Sequence, residues 1–311
     1  MSYQSRDYII GNLKSLCDSH PDFCSYFSIG KSVQNRDMWM FKVGNNPLCK
    51  IHYDGAIHGD EPVTTECLWR FIQWLITATD DYAVQYRRKC TVYIMPILNT
   101  DKYRVQRKNA NGVDLNRNFP FNWSSGGSSD PANYAYRGTA PASEPETQNV
   151  IKFWNDYKPH AFIGLHTGHA SAPVNFRPYN QTAEMQVMFT QIWSIYKAIQ
   201  AVIGGTNQGT GFANVGNGGH TVNEACAKGI LGILPELTTE YSPPYSEIDS
   251  IYYPRFKPFG MAFLEYFGKE PPIVPPAVEV LPDIFQFASM VWGYIMLSYI
   301  VRREIKGIKV M

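Results

Sequence analysis

The chain has 311 residues, 44% of them hydrophobic and 18% charged, so it can build one large α/β domain or two smaller ones. Its net charge of +1 argues against nucleic acid as the main partner, because a phosphate-binding surface normally needs an excess of basic residues. The six cysteines include no CxxC pair, which argues against a dense disulfide framework and a cysteine-ligated zinc but permits individual disulfides.

The N-terminal segment, MSYQSRDYIIGNLKSL, is polar and charged and lacks the apolar core of a secretory signal. We therefore expect a cytoplasmic location. Beyond this segment, strand-like and helix-like runs alternate, which predicts a single α/β domain around a mixed sheet, at residues 1–268.

Local patterns place the elements of this domain. Apolar runs bounded by turn residues predict buried strands at 50–53, 91–98, 160–165 and 229–234. Apolar residues at helical spacing predict helices at 62–77, 185–203 and 254–267. A further helix start is predicted where Ser143 suits the N-cap position and Glu146 completes a capping box.

The character of the chain changes after Gly268. Residues 269–283 are rich in proline, which predicts a stiff, extended spacer. Residues 284–301 carry no charge, and a run of this length is at the lower edge of what crosses a bilayer. We interpret 284–311 as an apolar C-terminal helix that docks on the domain or on another subunit. A membrane anchor is the alternative, and it would make the protein membrane-associated.

The stretch AIHGDEPV places His58 and Glu61 three residues apart, where a predicted strand gives way to a predicted helix. Such a junction lies at the carboxyl edge of a sheet, where α/β proteins place their sites. Imidazole nitrogen and carboxylate oxygen both suit Zn²⁺. An acidic residue in the first turn of an ordinary helix explains the same pattern, so the motif alone leaves both interpretations open.

A zinc site of two histidines and one glutamate needs a third ligand from elsewhere in the chain. His166 is favoured because it falls where the apolar run AFIGL meets a loop, and His169 is the alternative. Glu236, in the apolar run LPELT, is a candidate general base, since a lone carboxylate there is costly unless it is paired or faces a site. Structural pairing of Glu236 with an arginine is the alternative.

The basic, asparagine-rich region at 102–120 contains the pair Asn116 and Arg117. A guanidinium binds a carboxylate as a two-toothed fork, so this pair suits the binding of a carboxylate. A second arginine close to a metal would suit the stabilisation of an oxyanion.

Taken in order, six motifs resemble the zinc carboxypeptidase family, the carboxypeptidase A-like metallopeptidases. They are HGDEP at 58–62, the basic stretch around Arg107, GVDLNRNFP at 112–120, YRGTAPASEPET at 136–147, LHTGH at 165–169 and LPELT at 234–238. The resemblance covers about Ser2 to Gly268. It implies a zinc-dependent hydrolase, a metalloprotease, whose mixed, mainly parallel twisted sheet of about eight strands carries helices on both faces.

The resemblance also implies roles for named residues. His58, Glu61 and His166 would hold one Zn²⁺. Glu236 would act as general base on the attacking water and later pass the proton to the departing amine. Arg107 would stabilise the tetrahedral oxyanion together with the zinc.

The substrate implied by the resemblance is a peptide with a free C-terminal carboxylate, bound by Asn116 and Arg117. Asn214 falls nearest the place where many members carry a mobile tyrosine, and Thr221 falls where side-chain preference is often set. Since Thr221 is neither acidic nor large and apolar, no preference for basic or aromatic residues is indicated. Asp60 replaces an arginine that often precedes the glutamate ligand, so one carboxylate-binding contact is expected to be missing.

Two alternative functions stay open. Some members of the family cleave cell-wall peptides at bonds between D-glutamate and a diamino acid, and a murein-peptide amidase of this kind fits the same residues. The other alternative is a module that binds C-termini without cleaving them. Family members without activity typically lack a ligand or the base, whereas every one of these residues is present here.

Overall fold

The computed structural model describes residues 2–209 and 212–269. These residues form one sheet with the strand order β1-β2-β4-β3-β5-β8-β6-β7. Its strands are β1 (Cys24–Lys31), β2 (Asp37–Val43), β3 (Lys50–Asp54), β4 (Thr91–Met95), β5 (Ala161–Gly164), β6 (Val174–Arg177), β7 (Phe212–Asn214) and β8 (Leu231–Glu236). The helices are α1 (Arg6–Asp18), α2 (Pro62–Thr77), α3 (Asp81–Lys89), α4 (Pro145–Tyr157), α5 (Ala183–Ile203), α6 (Thr221–Ala227) and α7 (Tyr253–Lys269).

The sheet is mixed, with a parallel centre. The pairs β3–β4, β3–β5, β5–β8 and β6–β7 are parallel. The pairs β1–β2, β2–β4 and β6–β8 are antiparallel. This arrangement confirms the predicted mixed, mainly parallel sheet of about eight strands.

Helices cover both faces of the sheet because the central strands are buried on both sides. In β3, the Tyr53 ring packs against Phe71 of α2, with ring centroids 5.5 Å apart. The neighbouring His52 points to the other face, where its Nδ1 accepts a hydrogen bond from Trp154 Nε1 of α4 at 3.0 Å. Successive side chains of a strand point to opposite faces, so an apolar run without polar alternation is typical of such a doubly covered strand.

The predicted elements are confirmed, with shifts at their ends. Helix α2 begins and ends at the predicted residues. Its start is clear in the sequence because Pro62 occupies the first position, where a missing N–H costs nothing. The strand predicted at 91–98 ends earlier, at Met95. The chain leaves the ladder there because the N–H of Leu98 donates to the carbonyl oxygen of Gly55, in the loop that follows β3.

The predicted capping box at α4 is wrong. The N-cap residue is Glu144 rather than Ser143, and no side chain caps the helix. Glu146 does not reach back to the helix start, because its carboxylate accepts hydrogen bonds from the N–H of Val33 and from the Asn109 amide. Partners distant in sequence therefore override the local motif.

Trp154 anchors α4 to the sheet, and its ring packs against Phe162 at a centroid distance of 5.1 Å. Trp154→Ala is expected to lower the free energy of unfolding by about 3–5 kcal/mol, because it leaves a large cavity in the core. Denaturant unfolding measures the change. Lys152→Ala, at an exposed position of the same helix, is the matched control and should leave the midpoint unchanged. An equal loss in both variants would contradict this account of the core.

Cys17 and Cys24 form a disulfide, and the other four cysteines are buried and not disulfide-bonded. One local bridge agrees with the expectation that a dense disulfide framework is absent. Among the helices at 2–209 and 212–269, none is both long and apolar enough to cross a membrane. The predicted spacer from 270 onward and the predicted C-terminal helix at 284–311 lie outside the described residues, so the predicted domain boundaries stay predictions.

Candidate active site

The candidate catalytic residues follow three neighbouring parallel strands. His58 lies in the connection from β3 to α2, His166 lies two residues after β5, and Glu236 is the last residue of β8. Because β3, β5 and β8 are adjacent in the sheet, their carboxyl ends meet at one edge. The main chain fixes this meeting point, since the N–H of His166 donates to the carbonyl oxygen of Pro235 at 2.9 Å.

A tight turn brings His58 and Glu61 together. The N–H of Glu61 donates to the carbonyl oxygen of His58 at 3.2 Å, and Glu61 is the N-cap residue of α2. Gly59 is required in this turn because a Cβ atom there would lie 2.3 Å from the carbonyl oxygen of Lys102. The short turn thus directs an imidazole and a carboxylate toward one point.

His58, Glu61 and His166 offer ligand atoms that all lie within 4.8 Å of one another. His58 Nδ1 is 2.6 Å from Glu61 Oε1, and His166 Nδ1 is 3.3 Å from Glu61 Oε2. The three side chains are no more than 3% exposed. Two imidazoles and one carboxylate are the ligand set of a catalytic zinc site with three protein ligands, so these residues fit one Zn²⁺.

His169, the alternative third ligand, lies outside this group within the described residues. Its Nδ1 accepts a hydrogen bond from the N–H of Ser171 at 3.1 Å, and its ring packs against Phe176. The geometry therefore favours His166, which the sequence also favours.

Neighbouring charges influence the protonation of all three side chains. Burial and Arg107 act to lower the pKa of His58, but Glu61 and Asp114 outweigh them and raise this pKa. Burial acts to raise the pKa of Glu61, but the neighbouring His58 and His166 outweigh burial and lower this pKa below its usual range. Burial lowers the pKa of His166. Glu61 is thus favoured as a carboxylate and His166 as a neutral imidazole, which are the forms that bind a metal.

Asp114 holds two functional side chains in place. Its Oδ1 lies 3.1 Å from His58 Nε2, and its Oδ2 accepts hydrogen bonds from Arg107 Nε and Nη2 at 3.0 and 2.8 Å. A carboxylate on the outer nitrogen of a metal-binding imidazole fixes the tautomer and the ring orientation. Asp114 is not among the candidates predicted from the sequence, where its signal is an acidic residue between the apolar residues of VDL.

Asp114→Asn is expected to weaken zinc binding about 10- to 100-fold, the usual effect of removing such an orienting carboxylate. Competition titration with a zinc chelator of known affinity measures the change. Asp130→Asn, at an exposed acidic residue in the serine-rich loop, is the control and should not alter the affinity. Unchanged zinc affinity of Asp114→Asn would show that the carboxylate does not orient His58.

The remaining nitrogen of Arg107, Nη1, lies 3.1 Å from His58 Nδ1 and 3.8 Å from Glu61 Oε1. Arg107 therefore borders the candidate zinc site, with the rest of its guanidinium bound to Asp114. This position is consistent with the predicted role at an oxyanion, which stays a prediction.

Asn116 and Arg117 lie in a short 3₁₀ turn, Leu115–Arg117, and both line the cleft. Thr221 is only 1% exposed and is not among the residues that line the cleft. Instead, its N–H and hydroxyl donate to Asn116 Oδ1 at 2.9 and 3.0 Å. Asn214, at the end of β7, does line the cleft. The predicted substrate-binding roles of Thr221 and Asn214 remain predictions.

Glu236 lines the same cleft and is 8% exposed, and its Oε2 has no hydrogen-bond partner. None of the salt bridges within the described part of the chain includes it, which argues against structural pairing with an arginine. Burial, together with the charge of Glu61, raises the pKa of Glu236 to about 9. A buried carboxyl oxygen without a hydrogen-bond partner in a cleft is typical of a functional site.

The cleft has a volume of about 260 Å³, slightly below the range of about 300–1,000 Å³ that is usual for small-ligand pockets. Two tyrosines that the sequence analysis missed, Tyr134 and Tyr241, line it and are 68% and 47% exposed. The Tyr241 ring packs over Gly168, which has φ +90° and where a Cβ atom would lie 2.4 Å from the ring. These residues come from loops that only the folded chain brings to the cleft.

The sequence model of the family described as zinc carboxypeptidase matches residues 9–229. Mast cell carboxypeptidase A of Homo sapiens is 29% identical over 207 residues, which cover 59% of this chain and 48% of that protein. The chain spans about half the length of the mast cell carboxypeptidases A that it matches.

Solved structures share the fold. Thrombin activatable fibrinolysis inhibitor aligns with a TM-score of 0.75 at 22% identity, over 86% of this chain and 77% of its own. Murein-tripeptide amidase MpaA from Escherichia coli O157 aligns with a TM-score of 0.52 at 20% identity, over 77% of this chain and 92% of its own. At these identities the likeness concerns the fold alone.

Proposed function

The chain belongs to the zinc carboxypeptidase family, a family of metallopeptidases, and from this membership we propose that it hydrolyses the peptide bond next to a free C-terminus. The observation that carries the proposal is the convergence of His58, Glu61 and His166 at the cleft that Glu236 also lines. A Zn²⁺ ion held by these three residues would act as a Lewis acid on the scissile carbonyl and lower the pKa of the attacking water.

In this proposal Asn116 and Arg117 bind the C-terminal carboxylate of the peptide. Arg117 forms no salt bridge with any residue of the described ranges, whereas Arg107 donates two hydrogen bonds to Asp114. The charge of Arg117 is therefore available for the substrate, and a guanidinium binds a carboxylate in a two-toothed geometry. This requirement for a carboxylate makes the proposed reaction that of an exopeptidase.

Glu236 is the proton carrier in the proposed reaction. A cation bound by the three ligands would lower the pKa of the nearby Glu236 carboxyl, which burial raises to about 9. Its Oε2, which has no hydrogen-bond partner among the described residues, then accepts a proton from the attacking water and later delivers it to the departing amine. Arg107 Nη1 donates a hydrogen bond to the carbonyl oxygen as negative charge develops there. Because Asp114 already holds the other two nitrogens of Arg107, this donor needs little reorganisation.

The residues that line the cleft also indicate which C-terminal side chains of a substrate it can accept. Glu61 and Glu236 are the only acidic residues of the described ranges that line the cleft, and both are assigned to chemistry. A C-terminal lysine or arginine would thus find no free carboxylate. The side chains of Asn214 and Asn217 offer neutral polar contacts instead. We therefore propose that basic C-terminal residues are not preferred.

The direct test is to incubate the zinc-loaded protein with mixed peptides, including murein fragments, and to identify the products by mass. We expect the release of single C-terminal residues from peptides with a free carboxylate and no release from C-terminally amidated peptides. Chelation of zinc should stop the reaction. Cleavage of murein fragments alone would favour the amidase of the same fold. Zinc binding without any product would favour a non-catalytic module that binds C-termini.

A further inference from the structure

His220 precedes α6 and lines the cleft next to Arg117. It is 8% exposed, and although it is the N-cap residue, its side chain does not cap the helix. The imidazole instead contacts two other residues, Asn217 and Arg117.

Asn217 determines which nitrogen of this imidazole carries hydrogen. His220 Nε2 lies 2.8 Å from Asn217 Oδ1. Since an amide oxygen only accepts hydrogen bonds, Nε2 is the donor and Nδ1 keeps a lone pair in the neutral ring. Burial, with the nearby charge of Arg117, lowers the pKa of His220 well below its usual range, so the neutral ring is favoured.

The lone pair of His220 Nδ1 faces Arg117 Nη1 at 3.5 Å. The same Arg117 nitrogen donates to the carbonyl oxygen of Asn116 at 2.8 Å. A guanidinium has donors only, so both neighbours act as acceptors. Neither acceptor is charged, so together they orient the guanidinium without cancelling its charge. Arg107 is the contrasting case, because Asp114 compensates its charge.

We propose that His220 is a positioning residue, whose neutral Nδ1 orients Arg117 toward the C-terminal carboxylate of the substrate without placing an anion in contact with the guanidinium. The adjacent Thr221 orients Asn116 through two hydrogen bonds. Two consecutive residues at the start of α6 therefore hold the two consecutive residues that bind the carboxylate. The inference rests on the proposed function, because it requires a substrate with a free C-terminal carboxylate.

The test compares His220→Ala with the wild-type, zinc-loaded protein on its best peptide substrate. We expect KM for the free acid to rise about tenfold with little change in kcat, the size expected for one lost hydrogen bond to a charged group. Inhibition by an N-acetyl amino acid should weaken about tenfold, whereas inhibition by the corresponding amide should not change. A general loss of structure would affect the acid and the amide alike.

Two further variants serve as a rescue and as a control. His220→Gln keeps an acceptor for Arg117 and should recover most of the acid-specific binding. His20→Ala removes a histidine that does not line the cleft and should leave both inhibition constants unchanged. An equal change for acid and amide in His220→Ala, or no change for either, would overturn the proposal. If the wild-type protein itself binds acid and amide equally, the proposed carboxylate site fails, and that result is separate from any effect of His220.

Should His220→Ala fail to fold, Asn217→Ala provides a second test. The Asn217 side chain is exposed, so its removal should not disturb the core. Without Asn217 Oδ1, the imidazole is free to rotate and to move its hydrogen to Nδ1, where it no longer accepts from Arg117. We expect inhibition by the acid to weaken about threefold relative to inhibition by the amide, which is less than for the loss of a whole hydrogen bond. Loss of a direct contact between Asn217 and the ligand side chain would instead weaken both equally. Unchanged inhibition by the acid would overturn the proposal.

Discussion

Glu236→Gln is expected to lower kcat of the zinc-loaded protein about 10²- to 10⁴-fold, the usual contribution of a positioned general base. Glutamine has nearly the same shape but cannot take a proton from the attacking water. Because Oε2 of Glu236 has no hydrogen-bond partner among the described residues, the change breaks no bond at that atom. Steady-state kinetics and metal analysis together should show a slow enzyme that still holds one zinc per chain.

Glu240→Gln is the matched control for this experiment. Glu240 is an exposed residue four positions after Glu236, so the same chemical change there should leave kcat unaltered. Full turnover by Glu236→Gln would remove Glu236 from the role of general base. Loss of zinc from that variant would show instead that the carboxyl takes part in holding the metal.

His166→Ala is expected to abolish stoichiometric zinc binding and, with it, peptide hydrolysis. The variant leaves Glu61 and His58 as the remaining members of the ligand group, and a catalytic zinc site normally needs three protein ligands. Zinc content after dialysis against metal-free buffer should fall from one per chain to near zero. The thermal unfolding midpoint should no longer rise when zinc is added, because only binding to the folded state stabilises it.

His169→Ala serves as the comparison, since His169 lies three residues away in the same loop but outside the ligand group. It should retain one zinc per chain. The reverse result, with zinc kept by His166→Ala and lost by His169→Ala, would mean that the geometry at this edge of the sheet has been misassigned.

The local part of the site could be predicted from the sequence. His58 and Glu61 lie three residues apart at the start of a helix, and His166 lies two residues after a strand, so the local sequence pattern indicates each position. Parallel strands bring such positions to one edge of a sheet. The spacing of His58 and Glu61 alone did not distinguish a metal site from an ordinary helix start. The resemblance of six motifs, in order, to the zinc carboxypeptidase family was needed to favour the metal site.

The part of the site that depends on distant partners could not be predicted. Asp114 bonds His58, which is 56 residues away, and His220 bonds Arg117, which is 103 residues away. The failed capping box has the same cause, because Glu146 is bonded to Val33, 113 residues away. Local patterns report propensities, whereas these contacts exist only once the sheet has formed.

The most direct measurement is the anomalous scattering of a crystal of the zinc-loaded protein at the zinc absorption edge. The account predicts one strong peak within about 2.0–2.2 Å of a nitrogen of His58, a nitrogen of His166 and an oxygen of Glu61. The Glu236 carboxyl should face this peak without bonding to it. A peak bound by other residues, or no peak in a crystal grown with stoichiometric zinc, would contradict the assignment of this cleft as a zinc-dependent active site.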